Sequence, residues 1–322
     1  MQLPGERLGR AAGFLAIIKI DRSLMTGMTE KDYLVRGTAA GLMIRCFAVD
    51  ATNTIDEARK RHDTSPVITA ALGRLMAAGA MMGSAMKGED DLLTLIIKSQ
   101  GPAQGMTVTA NSKGEVKGYP LVPQVEIPPK YKGKLDVGGA IGPGSLTIIM
   151  DLGLKEPYSG QIELQTGEIG DDIAYYYTMS EQTPSAVGLG VMVNKDLSVR
   201  HAGGFMVQLM PEATEEVISR LEENLAKVPS VTTLMDEGKS PEEILELLLD
   251  GLNPEITDRQ DVCFKCNCSK ERVMKALVTL GNEDIKDVFQ EDDEIEVKCH
   301  FCNTAYQVSR KEFEELQKES KK

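Results

Sequence analysis

The sequence lacks features that would place it in several large functional classes. It contains no tryptophan and only 5% aromatic residues, so we expect an aliphatic, methionine-containing core. No apolar run approaches the roughly 20 residues of a membrane-spanning helix, which predicts no membrane partner. The glycine-rich stretch 137–148 has neither the dinucleotide-binding fingerprint nor the phosphate-loop spacing, and we expect a turn between strands there. A net charge of −13 argues against binding of nucleic-acid phosphates.

Catalytic constellations are also missing. His62 and His201 are isolated in the sequence, as structural histidines usually are. Asp171 and Asp172 are paired, but no histidine or third carboxylate stands at a useful spacing for acid–base or metal chemistry. Helix capping and surface solvation explain these two carboxylates better. We therefore expect no catalytic residues, no organic cofactor and no enzymatic activity.

The N-terminus weakly resembles a signal peptide. Arg7 and Arg10 precede a short apolar stretch, but Lys19 interrupts it and no small-residue cleavage site follows. We interpret residues 1–27 as an extra segment, non-native or disordered, ahead of a natural start at Met28. A cytoplasmic protein is then expected, and in that compartment thiols stay reduced.

Charge divides the chain into three zones. Residues 1–206 carry 21 basic and 22 acidic side chains, residues 207–262 carry 4 and 14 with no aromatic residue, and residues 263–322 carry 11 and 13. We predict an α+β protein with three parts after the N-terminal segment. These are a mixed α/β core domain at 28–206, a helical acidic linker at 207–262 and a small domain at 263–322.

The core zone mixes helix and strand signals. An alanine-rich apolar stretch begins at Ser65 and Pro66, which suit the N-cap and the first turn of a helix. Short apolar segments separated by turn residues predict strands around it.

The linker zone predicts short amphipathic helices. Ser240 and Glu243 match a capping box, and Gly251 matches a helix stop. Helices of this length are marginal alone, and crowded like charges oppose their compaction. We interpret the linker as conditionally folded, able to dock or open; an ordinary acidic helical linker is the alternative.

Five of the six cysteines lie in the last zone: Cys263, Cys266, Cys268, Cys299 and Cys302. Structural zinc sites take four thiolate or imidazole ligands from two tight turns, and a domain of about sixty residues usually needs such a cross-link. We therefore predict a zinc site. Spacing leaves the first pair open between Cys263 with Cys266 and Cys266 with Cys268, and His300 could replace a thiol. The segment "AYQVS" after the last pair predicts a strand, whereas a redox Cys-x-x-Cys motif usually opens a helix, and this disfavours a thiol oxidoreductase.

The cysteine motifs and two earlier stretches of the chain resemble those of one known family. "FKCNCSKER" and "CHFCNTAYQV", with thirty residues between Cys268 and Cys299, resemble the zinc module of the heat-shock protein 33 family, redox-regulated holdase chaperones of the bacterial cytoplasm. "YYYTMSEQTPSAV" and "AGGFMVQLMPEA" resemble stretches of the family's N-terminal domain and its junction with the linker. The resemblance covers the chain from Met28 onward. It implies one Zn²⁺ per chain held by four thiolates, Cys266, Cys268, Cys299 and Cys302, with Cys263 as a fifth thiol outside the pattern.

The resemblance also implies a redox switch. The reduced, zinc-bound form is inactive; oxidation forms the disulfides Cys266–Cys268 and Cys299–Cys302, releases zinc and unfolds the linker. The active form, a homodimer, then binds unfolded or aggregation-prone client proteins without ATP under oxidative stress. The client-binding surface stays undefined. Two alternatives remain: a zinc-stabilised interaction module without redox gating, and a zinc-ribbon nucleic-acid binder, which the zone's net charge of −2 disfavours.

Overall fold

The computed structural model describes residues 31–278 and 293–320 of the chain. The predicted extra segment 1–27 and the predicted start at Met28 therefore lie outside the described residues.

Strands and helices alternate irregularly along the described residues. The strands are β1 (Tyr33–Ala39), β2 (Ile44–Asp50), β3 (Leu92–Ser99), β4 (Gly105–Asn111), β5 (Glu115–Pro120), β6 (Gly144–Asp151), β7 (Tyr158–Glu163), β8 (Ser185–Val193), β9 (Val199–Leu209), β10 (Glu255–Asp261), β11 (Cys263–Phe264), β12 (Glu294–Lys298) and β13 (Ala305–Ser309). The helices are α1 (Thr52–His62), α2 (Pro66–Ser84), α3 (Val137–Ile141), α4 (Gly170–Ser180), α5 (Glu215–Leu225), α6 (Val231–Asp236), α7 (Pro241–Leu248), α8 (Lys270–Val278) and α9 (Arg310–Ser320). The predicted α+β class is confirmed.

Two large sheets form the core. The first sheet has five antiparallel strands in the order β10-β1-β2-β9-β8. The second has six strands in the order β11-β5-β4-β3-β6-β7, antiparallel except for the β11–β5 pair. β12 and β13 form a separate antiparallel hairpin.

Helix α2 contacts strands of both sheets and is the central core element. The sequence analysis expected no apolar run of membrane-spanning length, but among the described helices this one, with 19 residues, is long and apolar enough to cross a membrane by length and composition. As in a core helix, 94% of its apolar window is buried inside the protein. Pro66 begins the helix and Ser65 occupies the N-cap position, as predicted. The Ser65 hydroxyl, however, accepts a hydrogen bond from the backbone N–H of Val125 (3.1 Å) and leaves the helix uncapped by its side chain.

The glycine-rich stretch after residue 136 differs from the prediction. It forms the short helix α3 before β6 begins, where a simple turn was expected. The reason is a local cap: the Asp136 carboxylate accepts a hydrogen bond from the N–H of Gly139 (3.1 Å).

The helices α5, α6 and α7 cover the outer face of the first sheet, which we call the linker face. Its apolar residues are Val35, Ala39, Ile44, Cys46, Ala48, Phe205 and Val207. The helices bury against them the residues Val217, Leu221, Val231, Leu234, Met235, Ile244, Leu245 and Leu248. The acidic linker zone is therefore docked in this structure, with its apolar stripe on the sheet and its charged side outward.

Side-chain hydrogen bonds fix these helices at their ends. The capping box of α7 is confirmed, because Ser240 Oγ accepts from the N–H of Glu243 (3.2 Å) and the Glu243 carboxylate accepts from the N–H of Ser240 (2.8 Å). Asn224 of α5 is buried and donates to the carbonyls of Leu248 (3.1 Å) and Asp250 (2.9 Å), at the end of α7. The sequence analysis did not single out this asparagine.

The end of the linker zone is a strand, although a helical segment was expected. β10 adds to the edge of the first sheet beside β1. Gly37 permits the contact, because a Cβ at this position would lie 2.4 Å from the Glu255 carbonyl oxygen. A side-chain bridge also joins strand and helix: the Tyr33 hydroxyl donates to Glu242 of α7 (2.9 Å), and the Arg259 guanidinium of β10 lies over the Tyr33 ring.

Candidate metal centre

Two tight turns carry the clustered cysteines. The first follows β11, whose Cys263 N–H donates to the Gly114 carbonyl (3.1 Å) at the edge of the second sheet. The chain then leaves the sheet and enters α8, with Ser269 Oγ accepting from the N–H of Arg272 (3.3 Å). The second turn joins β12 to β13 and is closed by the Asn303 N–H donating to the Cys299 carbonyl (2.8 Å).

The two turns bring four thiols together. The sulfurs of Cys266, Cys268, Cys299 and Cys302 all lie within 4.8 Å of one another. Cys266 Sγ is 3.8 Å from Cys299 Sγ, and Cys268 Sγ is 3.3 Å from Cys302 Sγ. Zinc–sulfur bonds of about 2.3 Å in a tetrahedron separate the sulfurs by about 3.8 Å. The four thiols therefore fit a tetrahedral zinc ion with small adjustments.

The other two candidate ligands lie outside this cluster. Cys263 is exposed on β11, and its surroundings are acidic. Although the residue as a whole is exposed, partial desolvation of its sulfur and the nearby Glu115 carboxylate raise the pKa of its thiol. The His300 ring packs edge-on against the ring of Tyr119 (5.6 Å between centroids). Of the alternatives that spacing left open, the geometry favours Cys266 with Cys268.

The clustered thiols differ in how readily they ionise. Burial raises the pKa of Cys266 to about 12 and also raises that of Cys299. Burial acts in the same direction on Cys302, but hydrogen bonds to the Thr304 hydroxyl (3.2 Å) and backbone outweigh it and lower the pKa to about 7. Cys302 therefore becomes a thiolate, the form that both metals and oxidants react with, more readily than Cys266 or Cys299.

Tyr306 is part of the same cluster, and the sequence analysis did not identify it. Its hydroxyl lies 3.1 Å from Cys268 Sγ, and this hydrogen bond raises the pKa of the phenol to about 12. The neutral phenol can therefore donate to a thiolate at Cys268. A tyrosine four residues after the last cysteine is the signal that the sequence offered.

The module around the cluster has a small apolar core. Among the described residues, the buried members are Met274, Val308 and Phe313. A domain of about sixty residues usually needs a metal or disulfides in addition to such a core. Part of the fold of this module should therefore depend on the thiol cluster.

The second turn rests on the core through its backbone. His62 Nε2 donates to the Phe301 carbonyl (3.1 Å), and Arg61 Nη1 donates to the Cys302 carbonyl (3.3 Å). Asn303 Nδ2 donates in return to the Arg61 carbonyl (2.8 Å). Burial lowers the pKa of His62, so the ring is neutral in this contact. The interpretation of His62 as a structural histidine agrees with this position.

Ring contacts add to this interface. The Phe301 ring meets the Tyr119 ring edge-on (5.1 Å between centroids), and Lys117 Nζ lies 4.7 Å from the Phe301 ring centroid. Lys117 Nζ also donates to the Asn267 side-chain carbonyl in the first turn (2.8 Å). Both cysteine turns therefore contact β5, which a sequence pattern could not reveal.

The acidic pair that was set aside as non-catalytic has a structural role. Asp172 is fully buried, and its carboxylate accepts from the N–H groups of Gln165 (2.7 Å), Thr166 (3.1 Å) and Ile169 (2.9 Å). The predicted capping role is confirmed, whereas surface solvation is wrong for Asp172. His201 lies 3.2 Å from Asp236 at the end of α6 and is likewise not part of the thiol cluster.

Known proteins match this chain over most of its length. The family model described as Hsp33 protein matches residues 32–309. The 33 kDa chaperonin of Agathobacter rectalis is 54% identical over 285 residues, which are 88% of this chain and 99% of the relative. That of Clostridioides difficile is 50% identical over 290 residues, 90% and 99% of the two chains. The crystal structure of the 33 kDa chaperonin of Thermotoga maritima matches with a TM-score of 0.84 and 35% identity, over 91% of this chain and 99% of that one.

Proposed function

Because this chain belongs to the Hsp33 family, we propose that it is a redox-gated holdase chaperone that binds unfolding proteins without ATP. The family and the chaperonin names of the relatives support the chaperone function. Beyond the chaperone function, we propose that oxidation gates the activity, that zinc is the metal and that the clients are unfolding proteins. We also propose that the protein acts in the cytoplasm and as a homodimer when active, without nucleic acid or membrane partners.

The docked linker is the observation that carries the proposal. α5, α6 and α7 cover an apolar sheet face of seven residues that would otherwise be exposed. Exposed apolar patches of a few hundred Å² mark sites where a protein binds partners. A covered patch of this kind is what an inactive chaperone needs, because removal of the cover creates a client-binding surface.

We propose Cys266, Cys268, Cys299 and Cys302 as the ligands of one zinc ion. Bound Zn²⁺ would hold the two turns together and keep the four thiols deprotonated. The four sulfurs lie at distances that suit this role. Tyr306 and Thr304 would then donate hydrogen bonds to the thiolates of Cys268 and Cys302, respectively.

Oxidation would act directly on these ligands. Two thiolates give two electrons to a peroxide and form one S–S bond, while the peroxide takes up two protons and leaves as two waters. Two such reactions consume all four thiolates and release the metal. The pairs Cys266–Cys268 and Cys299–Cys302 remain our predicted disulfides; with all four sulfurs within 4.8 Å, each thiol has several partners in reach.

The chain order connects the metal centre to the linker. Residue Val262 alone separates β10, at the edge of the first sheet, from β11, at the edge of the second. We propose that the module 263–322 unfolds when its cross-link is lost and that the linker 207–262 then opens, while the core 28–206 stays folded. Zinc binding contributes on the order of 10 kcal/mol to the folding of small domains, comparable with the whole stability of many domains.

Light scattering of a heat-unfolding client protein tests the proposal. Reduced and peroxide-treated samples are compared, and released zinc is measured with a chromogenic chelator in the same tubes. We expect suppression of aggregation in the oxidised sample alone, with zinc release and activity rising together. Zinc release without any chaperone activity would contradict the proposal and would favour a zinc-stabilised interaction module without redox gating.

A further inference from the structure

Among the described residues, no strand pairs with the outer edge of β8. This strand lies at the end of the first sheet, and its inner side pairs with β9. The Leu209 N–H donates to the Pro184 carbonyl, which fixes the alternation of hydrogen bonds along this pair. Even-numbered residues of β8 bond to β9, so Val187, Leu189 and Val191 direct their N–H and C=O groups away from the sheet. No described residue forms a hydrogen bond with the outward groups of Leu189 and Val191.

The edge of β8 lacks the usual protection against strand pairing. Proteins protect sheet edges with charged residues and proline. The opposite edge of the first sheet follows this rule, since β10 has the sequence EITDRQD with four charged residues. β8 has the sequence SAVGLGVMV, with neither a charge nor a proline. An open, uncharged edge on a soluble protein indicates a surface that binds another chain.

A groove of about 910 Å³ runs along this edge. Its floor is residues 187–193 of β8, and its walls are the loop 129–135 and residues 230–232, the N-cap and first two residues of α6. At about 3.3 Å per residue the floor is about 20 Å long, enough for a segment of six or seven extended residues. Polar and apolar groups both line the groove, so a bound segment could vary in sequence.

The charges around the groove suit a neutral or acidic segment. Lys132, Lys134 and Lys195 line it together with the carboxylates of Glu168 and Asp171, so with Arg74 the basic groups outnumber the acidic ones, in a chain whose net charge is −13. Arg74 lies deeper, with Nη1 2.8 Å from the Glu168 carboxylate. Nε of Arg74 is buried and has no hydrogen-bond partner among the described residues.

We propose that β8 is a client-binding strand, to which an extended, neutral or acidic segment of an unfolded protein adds as a further strand of the first sheet. Main-chain hydrogen bonds would supply affinity without regard to sequence, as in other cases of strand addition. This inference rests on the proposed chaperone function and names the site that the function requires.

The linker controls one wall of this groove. α6 sits directly on the strand, because a Cβ at Gly190 would lie only 2.6 Å from Thr232 Cγ2. Opening of the linker removes α6 and leaves β8 accessible along both its edge and its linker face. Client binding at β8 would therefore strengthen in the oxidised state.

Proline substitution tests strand addition. Leu189→Pro removes an outward N–H and places the ring in the path of an added strand, and it breaks no hydrogen bond to β9. Gln161→Pro is the matched control on the edge strand β7. The register there, with the Leu164 N–H donating to Gly144, makes the Gln161 N–H point outward too. Leu189→Ala removes the same side chain as Leu189→Pro but keeps the N–H.

The probe is reduced, carboxymethylated α-lactalbumin, an acidic chain that stays unfolded, labelled for fluorescence anisotropy. With oxidised protein we expect Leu189→Pro to bind it at least tenfold more weakly than wild type, and at least fivefold more weakly than Leu189→Ala. Gln161→Pro should bind like wild type. Equal binding by Leu189→Pro and Leu189→Ala would overturn the inference. Loss of the dimer in Leu189→Pro with client binding retained would also overturn it, since β8 would then join two copies of the chain.

Two further readouts keep the test decisive. Zinc release on oxidation should be the same in all variants; failure of oxidised wild type to bind the probe would refute the chaperone function itself. If Leu189→Pro does not fold, the test uses wild-type protein and two probes instead. These are a ten-residue acidic peptide and a copy of it in which alternate amides are N-methylated. The methylated peptide should bind at least tenfold more weakly, and equal binding would refute strand addition.

Discussion

Truncation of one buried leucine in α7 should make the chaperone active without oxidation. Leu245 is 0% exposed and packs in the cluster between the linker helices and the linker face. Replacement of a buried leucine by alanine costs about 2–5 kcal/mol, because transfer energy is lost and a cavity remains. This cost falls on the docked state, since the side chain is already in water when the linker is open.

A change of about 3 kcal/mol shifts the ratio of docked to open linker roughly a hundredfold. Short helices of this kind depend on packing for their stability, so such a shift should populate the open form. We therefore expect reduced, zinc-loaded Leu245→Ala to suppress aggregation of a heat-unfolding client in light scattering. The chelator assay should show that its zinc is retained.

Leu247→Ala is the matched control. The side chain lies in the same helix but is 41% exposed, so its loss should change docking little. Reduced Leu247→Ala should be as inactive as wild type. The reasoning would be wrong if reduced Leu245→Ala were equally inactive although its thermal unfolding showed the expected loss of stability. The covered sheet face would then not be the client-binding surface.

Four further predictions concern the thiols and the contact of the second turn with the core. Cys263→Ser should keep one zinc per chain and normal switching, and loss of metal in that variant would place the fifth thiol among the ligands. Burial raises the pKa of Cys46 to about 12, so iodoacetamide should spare this thiol in reduced protein and alkylate it after oxidation. If mass spectrometry shows that Cys46 is still protected after oxidation, this would argue against opening of the linker. Phe301→Ala loses the ring contact with Tyr119, which is worth about 1 kcal/mol. Peroxide-driven zinc release should then be several-fold faster in stopped-flow measurements, and an unchanged rate would mean that this contact does not restrain the module. Burial lowers the pKa of His62, so its ring takes up a proton more readily when the second turn has left the core. The contact between the second turn and the core should therefore weaken as pH falls below about 6.5, and a His62→Gln variant, which cannot titrate, should lose that dependence.

Local signals in the sequence predicted the local features of the fold well. The capping box of Ser240 and Glu243 depends on residues three apart, and the structure has both of its hydrogen bonds. The start of α2 at Pro66 likewise follows from the fixed φ of proline at a first helical position. The cysteine spacing restricted the metal centre to a few ligand sets, since only thiols on two tight turns could meet.

Features that depend on distant partners were not predictable in this way. β10 is rich in charged residues and has no alternating apolar pattern, and it is a strand because Gly37, more than 200 residues earlier, lets its backbone approach. Asn224 looks like a surface residue of an acidic helix, yet it binds the end of α7. Asp171 and Asp172 are adjacent in the sequence, yet Asp171 is exposed whereas Asp172 is buried and accepts from the backbone N–H groups of a preceding loop.

The composition of the linker face suits the specific and reversible docking that we propose. Ala39, Ala48 and Cys46 are small, and Gly190 lets α6 lie directly against the sheet. Small residues let helices approach closely, but each contributes less buried apolar area than leucine or phenylalanine would, and hydrophobic stabilisation scales with that area. The helices supply most of the large side chains, so their docking depends on many of them acting together. Loss of the pairing between β11 and β5 removes only two residues of parallel pairing, but in the mechanism that we propose it frees the C-terminal end of the linker. We therefore expect that filling of the linker face opposes opening of the linker. Ala48→Val should strengthen docking, and the oxidised variant should release zinc normally but suppress aggregation less than wild type. Full activity in that variant would show that the linker opens for reasons other than weak packing.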